Sequence, residues 1–327
     1  MKTIPILRPN LLRLVSLAFS GLLLAGAAAW AQPVPRVDRP VLRAPLSILP
    51  GLLVVQDINY TAGAFGATLM DVYYPAEIRP GKLQPLIVLI HGGGWSGGSR
   101  NEPIFVGLAL EWAQRGYVVA SIDYRLSREA PFPAAVEDCK TAVRWLKTYA
   151  DEFKLDPKRV AVWGHSAGAH LATLVAVAPR TAGLEGNLFP NVDSTVQAAV
   201  SVAGNFDFFL TPNAGLERPG MFLAGTAETR EARLKAASPT SYVGKETPPF
   251  LLIHGTRDGV VNVVQSDAFA AALTAASVPV NYQRIEGAKH DVHREQTVLL
   301  RPIVNQFFDH WLQGAPVTPV PPPQTKP

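Results

Sequence analysis

The chain has 327 residues, of which 48% are hydrophobic and 17% are charged. This composition provides for one large core, or two domains at most, and excludes a chain that is disordered throughout. The formal net charge is +4, but three basic residues lie in the first 13 residues, where there is no acid, so the remainder is close to neutral. Since no basic stripe carries interleaved aromatic residues, we expect no nucleic-acid partner.

Residues 1–31 show the three parts of a secretory signal peptide. A basic start is followed by the apolar stretch LVSLAFSGLLLAGAAA and by Ala29-Trp30-Ala31, a small-x-small cleavage pattern. We predict cleavage after Ala31 and a secreted or periplasmic protein; an uncleaved membrane anchor is the alternative. No later apolar run is long enough to span a bilayer, so no membrane span is expected once the leader is removed.

Proline marks both ends of the remaining chain. Residues 32–50 (QPVPRVDRPVLRAPLSILP) predict an extended linker, and residues 314–327 (GAPVTPVPPPQTKP) predict a disordered tail. The folded domain is therefore predicted over residues 51–313. Its single cysteine, Cys139, lies on an amphipathic segment, and we interpret it as a buried small residue without a disulfide.

Strands and helices alternate along this domain. LLVVQDINY and TLMDVYYPA predict an antiparallel opening pair. Helical segments such as FPAAVEDCKTAVRWLKTYADEF then alternate with the strand segments PLIVLIHGGG, YVVASIDYRL, RVAVWGHS, VQAAVSVAGNFD, PPFLLIHGTRD and VNYQRIEGA. This alternation predicts an α/β fold with a mostly parallel central sheet and helices on both faces. Such a sheet binds ligands at the carboxyl ends of its strands.

Gly164-His165-Ser166-Ala167-Gly168 has G-x-S-x-G spacing at one such strand end. The strand segment VAVW precedes it, and the helical segment AGAHLATLVAVA begins within it. This context is that of a nucleophile elbow, in which a serine occupies a tight strand-to-helix turn. We therefore predict that Ser166 is a nucleophile; a glycine-rich turn with an idle serine is the alternative.

His91-Gly92-Gly93-Gly94-Trp95 ends an earlier strand segment. Acyl transfer places negative charge on a carbonyl oxygen, and the backbone N–H groups of a glycine loop can approach such an oxygen closely. Gly93 and Gly94, with Ala167 after the serine, are the predicted oxyanion donors. The loop lacks the G-x-G-x-x-G spacing and the lysine of phosphate-binding loops.

A serine nucleophile needs a histidine base and an acid that orients it. Asp258 lies just past a strand in PPFLLIHGTRD and is favoured over Asp207 and Asp291. His290 lies in the loop segment RIEGAKHDV and is favoured over His293 on that placement. The other five histidines are not expected to be the base. His91 is expected to pin the glycine loop and His254 to be buried. The side chains of His165 and His170 are expected to point away from the serine, and His310 to lie far from it. The chain order serine, acid, histidine is that of the α/β-hydrolases.

The sequence resembles the α/β-hydrolase esterases of the hormone-sensitive-lipase type, and among them the secreted BD-FAE-like carbohydrate and feruloyl or acetyl esterases. The similarity runs from about Leu52 to Leu312 and rests on DVYYPA, LIVLIHGGGWSGGS, GYVVASIDYRLS, FPAAVEDCKTAVRWL, RVAVWGHSAGAHLA, SPTSYV, PPFLLIHGTRDGVV and GAKHDV. Many relatives carry GDSAGG at the nucleophile, whereas this chain has GHSAGA. The resemblance implies that Ser166 is the nucleophile, His290 the base and Asp258 the orienting acid. It also implies that Gly93, Gly94 and Ala167 form the oxyanion hole.

Residues 205–239 are predicted to build a small lid and a pocket wall. The substrate-pocket candidates are Trp95, His165, Phe206 and Phe208, and ordinary core packing is the alternative for each phenylalanine. Trp95, beside the glycine loop, is the residue that we expect to touch substrate.

The resemblance implies a secreted serine carboxylic ester hydrolase that forms an acyl-enzyme on small-molecule or polymer-linked esters, with short-chain or aromatic (acetyl or feruloyl) acyl groups. The alternatives are amide hydrolysis of the kynurenine-formamidase type, whose glycine loop HGGGW also fits, and hydrolysis of aromatic polyesters. A non-catalytic binding protein is disfavoured because all three triad residues are in place. No cofactor is expected, and no CxxC, HExxH or clustered His/Asp pattern predicts a metal. The sequence leaves the oligomeric state open.

Overall fold

A computed structural model of the chain describes residues 42–65, 68–77, 81–210, 222–224 and 229–317. The strands are β1 Leu46–Leu49, β2 Leu52–Asn59, β3 Leu69–Pro75, β4 Gln84–Ile90, β5 Val118–Ile122, β6 Leu155–His165, β7 Ala198–Val202, β8 Phe250–Gly255 and β9 Val280–Ile285. The helices are α1 Pro103–Gln114, α2 Ala134–Thr148, α3 Ala150–Phe153, α4 Ala167–Val177, α5 Arg230–Ala237, α6 Val264–Ala275, α7 Val292–Glu295 and α8 Thr297–Gln313. The predicted signal peptide, most of the predicted linker and residues 318–327 of the predicted tail lie outside the described residues.

The strands form one sheet in the order β1-β2-β3-β5-β4-β6-β7-β8-β9. Three pairs are antiparallel: β1 with β2, β2 with β3, and β3 with β5. From β5 to β9 in that order, every neighbouring pair is parallel. The predictions of an antiparallel opening pair and of a mostly parallel sheet are confirmed.

The sheet begins earlier than the sequence predicted. β1 lies within the predicted linker and pairs with β2, with Leu46 opposite Val54. The physical reason is the spacing of the prolines, since Pro45 and Pro50 bracket four residues that all keep their N–H donors. The predicted boundary between linker and folded domain, at residue 50, is therefore wrong, because the sheet already begins at Leu46.

Helices cover both faces of the sheet, and each face has its own core. Along β4, Leu86, Val88 and Ile90 belong to one core, while Ile87 and Leu89 belong to the other. Side chains of α2, α4 and α6 join the first core, and side chains of α1 and α8 join the second. All five β4 side chains are fully buried, as expected of a central parallel strand that is covered on both sides.

The single cysteine lies in the first of these cores. Cys139 is buried on α2, as expected, and burial raises the pKa of its thiol well above the ordinary value. The thiol therefore stays protonated and unreactive at neutral pH. Within the described ranges, no helix has the length and apolar character needed to cross a bilayer.

The carboxyl ends of three neighbouring strands meet at one edge of the sheet. Ile90 at the end of β4 pairs with Gly164 of β6, and His165 at the end of β6 pairs with Val202 of β7. The glycine loop that follows β4 is thereby placed beside the turn that follows β6. β8, next to β7, ends at Gly255, three residues before Asp258.

Candidate active site

Ser166 occupies a tight turn between β6 and α4. Its backbone has φ +57° and ψ −122°, a conformation that residues with side chains rarely adopt. Its N–H donates to the carbonyl of Val202 at 2.8 Å, which fixes the turn against β7. A Cβ at Gly164 would overlap the carbonyl oxygen of Gly168, and a Cβ at Gly168 would overlap that of Ile90, so the turn requires both glycines.

Ser166, His290 and Asp258 form one chain of hydrogen bonds. The Oγ of Ser166 lies 2.9 Å from Nε2 of His290, and Nδ1 of His290 lies 2.7 Å from Oδ2 of Asp258. Because an ionised carboxylate can only accept, Nδ1 of His290 carries the proton and Nε2 accepts from the serine hydroxyl. The three residues follow β6, β9 and β8, all at carboxyl ends of parallel strands. This arrangement allows His290 to remove the proton of Ser166.

The side chain of Asp258 is fully buried, and each of its two carboxylate oxygens accepts hydrogen bonds. Oδ1 accepts from the backbone N–H groups of Val260 at 2.8 Å and Val261 at 2.9 Å, while Oδ2 accepts from His290 and from Nε2 of His254 at 3.1 Å. Burial on its own raises the pKa of this carboxyl, but the hydrogen bonds outweigh burial and hold the pKa well below its ordinary value. The carboxylate is therefore ionised at neutral pH and orients the ring of His290 through Nδ1.

His254 is a site residue that sequence reasoning missed. It is fully buried, as expected for the apolar run LLIH. Its Nε2 faces two acceptors, Oδ2 of Asp258 and the carbonyl oxygen of Val261 at 3.0 Å, so Nε2 carries the proton. Its Nδ1 then accepts from the hydroxyl of Ser266 at 2.7 Å. The signal that could have found it is the requirement that a buried imidazole has partners, with an acid four residues further along the chain.

The glycine loop lies against the serine turn. A Cβ at Gly92 would lie 2.9 Å from the carbonyl oxygen of His165 and 3.3 Å from Cβ of Ser166, so the two backbones are in close contact. The predicted oxyanion donors lie at this contact, and no acceptor for the backbone N–H groups of Gly93, Gly94 and Ala167 is found among the described residues. Groups of this kind, one of them in the first turn of a helix, can bind a negatively charged oxygen.

The glycine loop is held at both ends. The hydroxyl of Tyr124 donates to the carbonyl of His91 at 2.9 Å, and the two rings stack with centroids 4.3 Å apart. At the other end, the N–H of Ser127 donates to the carbonyl of Trp95 at 2.7 Å. Burial lowers the pKa of His91, whose neutral ring donates from Nδ1 to the carbonyl of Gly92 at 2.8 Å. His91 thus pins the loop, as expected.

The glycine loop, the serine turn and Asp258 lie within a stretch that matches a known family. Residues 70–273, more than half of the chain, match the model of the BD-FAE family. The chain belongs to the BD-FAE family. The resemblance inferred from the sequence is thereby confirmed, and so is the α/β-hydrolase fold.

Relatives of this BD-FAE chain include proteins named as esterases. Esterase LipQ of Mycobacterium tuberculosis is 30% identical over 77% of this chain and 61% of its own length. A truncated carbohydrate esterase from gut microbiota aligns with a TM-score of 0.72 and 23% identity over 80% of this chain and 96% of the other. A thermophilic esterase of Thermogutta terrifontis, with propionate bound, aligns with a TM-score of 0.62 and 26% identity over 76% of this chain and 92% of the other. The chain spans about three fifths of the length of the curated relatives it matches.

Trp95 does not line an open site, contrary to the sequence prediction. It is only 3% exposed, its indole N–H donates to Nδ1 of His170 at 3.1 Å, and its ring stacks on Phe222 at 4.7 Å between centroids. Phe208 packs on both Trp95 and His170. The reason is that a buried indole needs an acceptor for its N–H, and His170 provides one in the core. We call Trp95, His170, Phe208 and Phe222 the aromatic cluster.

Phe206 belongs to the core and not to a pocket wall. It is fully buried and stacks on Phe269 of α6 with centroids 4.5 Å apart. Its backbone N–H and that of Asp207 both donate to Oε1 of Gln265 at 2.8 Å, which ties this segment to α6. Of the predicted lid, residues 211–221 and 225–228 lie outside the described residues, and the described remainder includes α5.

His165, the last pocket candidate, packs against the two histidines that follow β9. Its ring centroid lies 4.9 Å from that of His290 and 4.2 Å from that of His293. Its Nε2 donates to the carbonyl of His290 at 3.1 Å and lies 3.7 Å from Oδ1 of Asp291. Burial and the nearby His290 lower the pKa of His165 to about 4. The sequence showed no clustered His/Asp set because these residues come from two distant segments.

Proposed function

We propose that the chain hydrolyses carboxylic esters, with Ser166 as nucleophile, His290 as general base and acid, and Asp258 as the orienting carboxylate. The observation that carries this proposal is the hydrogen-bonded chain from Ser166 to Asp258, with links of 2.9 and 2.7 Å, beside unoccupied backbone donors. Membership of the BD-FAE family and the esterase names of relatives support the same reaction.

The first half of the proposed reaction acylates the serine. Oγ of Ser166 attacks the ester carbonyl while Nε2 of His290 takes its proton. The carbonyl oxygen becomes an oxyanion, and one backbone donor to such an oxyanion contributes roughly 3–4 kcal/mol of transition-state stabilisation. The donors are the N–H groups of Gly93, Gly94 and Ala167. The bond to the alcohol then breaks, the alcohol leaves with the proton from His290, and the acyl group stays on Oγ.

The second half releases the acid. Water takes the place of the alcohol, His290 removes one of its protons, and its oxygen attacks the acyl carbonyl. The second oxyanion collapses and Oγ of Ser166 leaves with the proton from His290, so the enzyme returns to its starting state. Asp258 stabilises the imidazolium in both halves and stays ionised, which its lowered pKa favours.

Short-chain or aromatic acyl groups are the proposed substrates. Trp95, at the end of the glycine loop, is 3% exposed and packs on Phe208 and Phe222, so its indole does not line a wide acyl pocket. The Thermogutta terrifontis esterase was solved with propionate, a short acid, and is 26% identical to this chain. Acetyl and feruloyl esters are the substrates that the BD-FAE-like resemblance implies, on small molecules or polymers.

Export from the cytoplasm is a further part of this proposal. Its support is the basic start, apolar stretch and Ala29-Trp30-Ala31 pattern of residues 1–31. Sequencing the N-terminus of protein recovered from the periplasm and the medium tests it. A chain that begins at Gln32 supports export, and uncleaved protein confined to the cytoplasm contradicts it.

Hydrolysis of a p-nitrophenyl ester series, acetate to dodecanoate, and of methyl ferulate tests the activity. We expect the highest rates on acetate or ferulate, and a fall of at least roughly 10³-fold in Ser166→Ala. A fluorophosphonate should modify Ser166 in the wild type, as located by mass spectrometry. Ester turnover that persists in Ser166→Ala contradicts the proposed nucleophile. Faster hydrolysis of N-formylkynurenine than of every ester would favour the amidase alternative.

A further inference from the structure

Three metal-ligating side chains converge beside the proposed triad. His165 at the end of β6, with Asp291 and His293 after β9, each offer one ligand atom, and these atoms lie within 4.8 Å of one another. Two imidazoles and a carboxylate form a donor set that binds Zn²⁺ in proteins, with a fourth position for water. No step of the proposed hydrolysis uses any of the three side chains.

His293 points to a ligand that the protein does not supply. Both of its ring nitrogens are buried, and neither has a hydrogen-bond partner among the described residues. A buried polar group without a partner is unusual and costs roughly 1–3 kcal/mol. The ring lies against His165 and edge-on to Trp163, at 4.2 and 5.7 Å between centroids. A metal ion bound on the His165 side would satisfy one of these nitrogens.

The three ligand atoms, which lie within 4.8 Å of one another, must move closer together to bind one zinc ion. Nε2 of His165 and Oδ1 of Asp291 are 3.7 Å apart, and two ligands of a tetrahedral zinc ion stand roughly 3.3 Å apart. The Asp291 side chain is 53% exposed, which gives an ion a route from solvent.

We propose that His165, Asp291 and His293 form a Zn²⁺ site whose occupation inhibits the enzyme. Two of the three ligands are covalent neighbours of the proposed triad, since His165 precedes Ser166 and Asp291 follows His290. Nε2 of His165 holds the carbonyl of His290 at 3.1 Å, and it must give up this hydrogen bond to bind the ion. Zinc binding therefore disturbs the distance between Ser166 and His290. The inhibitory half of this inference rests on the proposed function, whereas the binding half does not.

Zinc titration of the untagged, chelator-treated protein tests the site. We expect calorimetry to show one Zn²⁺ bound per chain, and Co²⁺ to give the visible absorption of a tetrahedral site. Asp291→Asn, at an exposed position that should not disturb folding, and His293→Phe should each weaken binding by at least about tenfold. His310→Ala is the matched control, because it removes a histidine of α8 whose ring contacts Ala315. The control should bind zinc as the wild type does.

Inhibition is measured on p-nitrophenyl acetate over the same zinc concentrations. The loss of activity should follow the binding curve, reverse on addition of EDTA, and require higher zinc in Asp291→Asn. No zinc binding, or equal binding by wild type and both ligand variants, overturns the site. Binding at the site without loss of activity overturns its inhibitory role. A protein that binds zinc but hydrolyses no ester even without metal contradicts the proposed function and leaves the binding site established.

Discussion

His254 and His290 donate hydrogen bonds to the same oxygen of Asp258. Nε2 of His254 lies 3.1 Å and Nδ1 of His290 lies 2.7 Å from Oδ2. The backbone N–H groups of Val260 and Val261 hold the other oxygen. The carboxylate therefore cannot rotate without losing a donor. His254 acts on His290 through this carboxylate, which makes it a positioning residue for the proposed base.

Replacing His254 by phenylalanine removes one donor from a buried carboxylate while filling a similar volume. We expect kcat for p-nitrophenyl acetate to fall roughly 10–100-fold with little change in KM, because a hydrogen bond to a charged group contributes about 1.5–3 kcal/mol. His254→Gln keeps a donor and should recover part of the loss. Steady-state kinetics of both variants measures this effect. Unchanged kcat in His254→Phe, with only a lowered melting temperature, would assign His254 to stability alone.

Asp258→Asn should abolish most of the activity without unfolding the chain. An amide in place of the carboxylate favours the wrong tautomer of His290, which costs about 10⁴-fold in kcat in a comparable triad. Asp207→Asn is the matched control, since Asp207 was a rival acid in the sequence and, among the described residues, its side chain accepts the N–H of Phe209. The control should retain wild-type kcat. Equal losses in the two variants would remove Asp258 from the proposed mechanism.

The three residues of the proposed triad, which the structure joins by hydrogen bonds, could be selected from the sequence because each has a local signal. Ser166 lies between a strand and a helix with glycines at the two positions where a Cβ would overlap backbone. Asp258 and His290 each follow a strand that the apolar pattern revealed. Parallel strands then bring these segments to one edge, so chain order and strand ends were sufficient to choose among the histidines.

The side chains around the triad could not be predicted, because their environment is set by distant parts of the chain. Trp95 is buried by His170 and Phe222, which lie 75 or more residues away. The convergence of His165 with Asp291 joins the ends of β6 and β9, which no local spacing reveals. Apolar residues near a motif fit a pocket or a core equally well in the sequence, and only the fold decides between them.

Gly168→Ala should damage both stability and activity. The new Cβ would overlap the carbonyl oxygens of Ile90 and His91, which are backbone atoms at the start of the glycine loop and cannot move independently. Such overpacking costs about 1–3 kcal/mol in the free energy of unfolding, and the displaced loop should also lower kcat. Gly107→Ala is the matched control: on α1, a Cβ there meets nothing within 4 Å, and the helix should gain up to about 1 kcal/mol. Urea unfolding and ester kinetics measure both variants. A Gly168→Ala enzyme with wild-type kcat would show that the serine turn does not pack closely against the start of the glycine loop.

His170 should make the stability of the protein depend on pH. Burial lowers the pKa of His170 to about 4, against an ordinary value of 6.5, while its Nε2 donates to the carbonyl of Ala237 and its Nδ1 accepts from Trp95. Between these two pH values the unfolded chain binds a proton that the folded chain does not, so the free energy of unfolding falls as pH decreases below about 6.5. The fall attributable to this one residue approaches roughly 3 kcal/mol near pH 4.

Comparison with His170→Gln isolates this contribution, because glutamine can replace both hydrogen bonds and does not titrate. We expect the wild type to lose its advantage over His170→Gln as pH is lowered from 7 to 4.5 in a series of urea unfolding experiments. Trp95→Phe serves as the control, since it removes the partner of Nδ1 and lowers stability while the titrating ring remains. Its pH dependence should therefore follow that of the wild type and not that of His170→Gln. Parallel curves for wild type and His170→Gln over this range would mean that His170 takes up its proton over the same pH range in the folded protein as in the unfolded chain, which contradicts the lowered pKa.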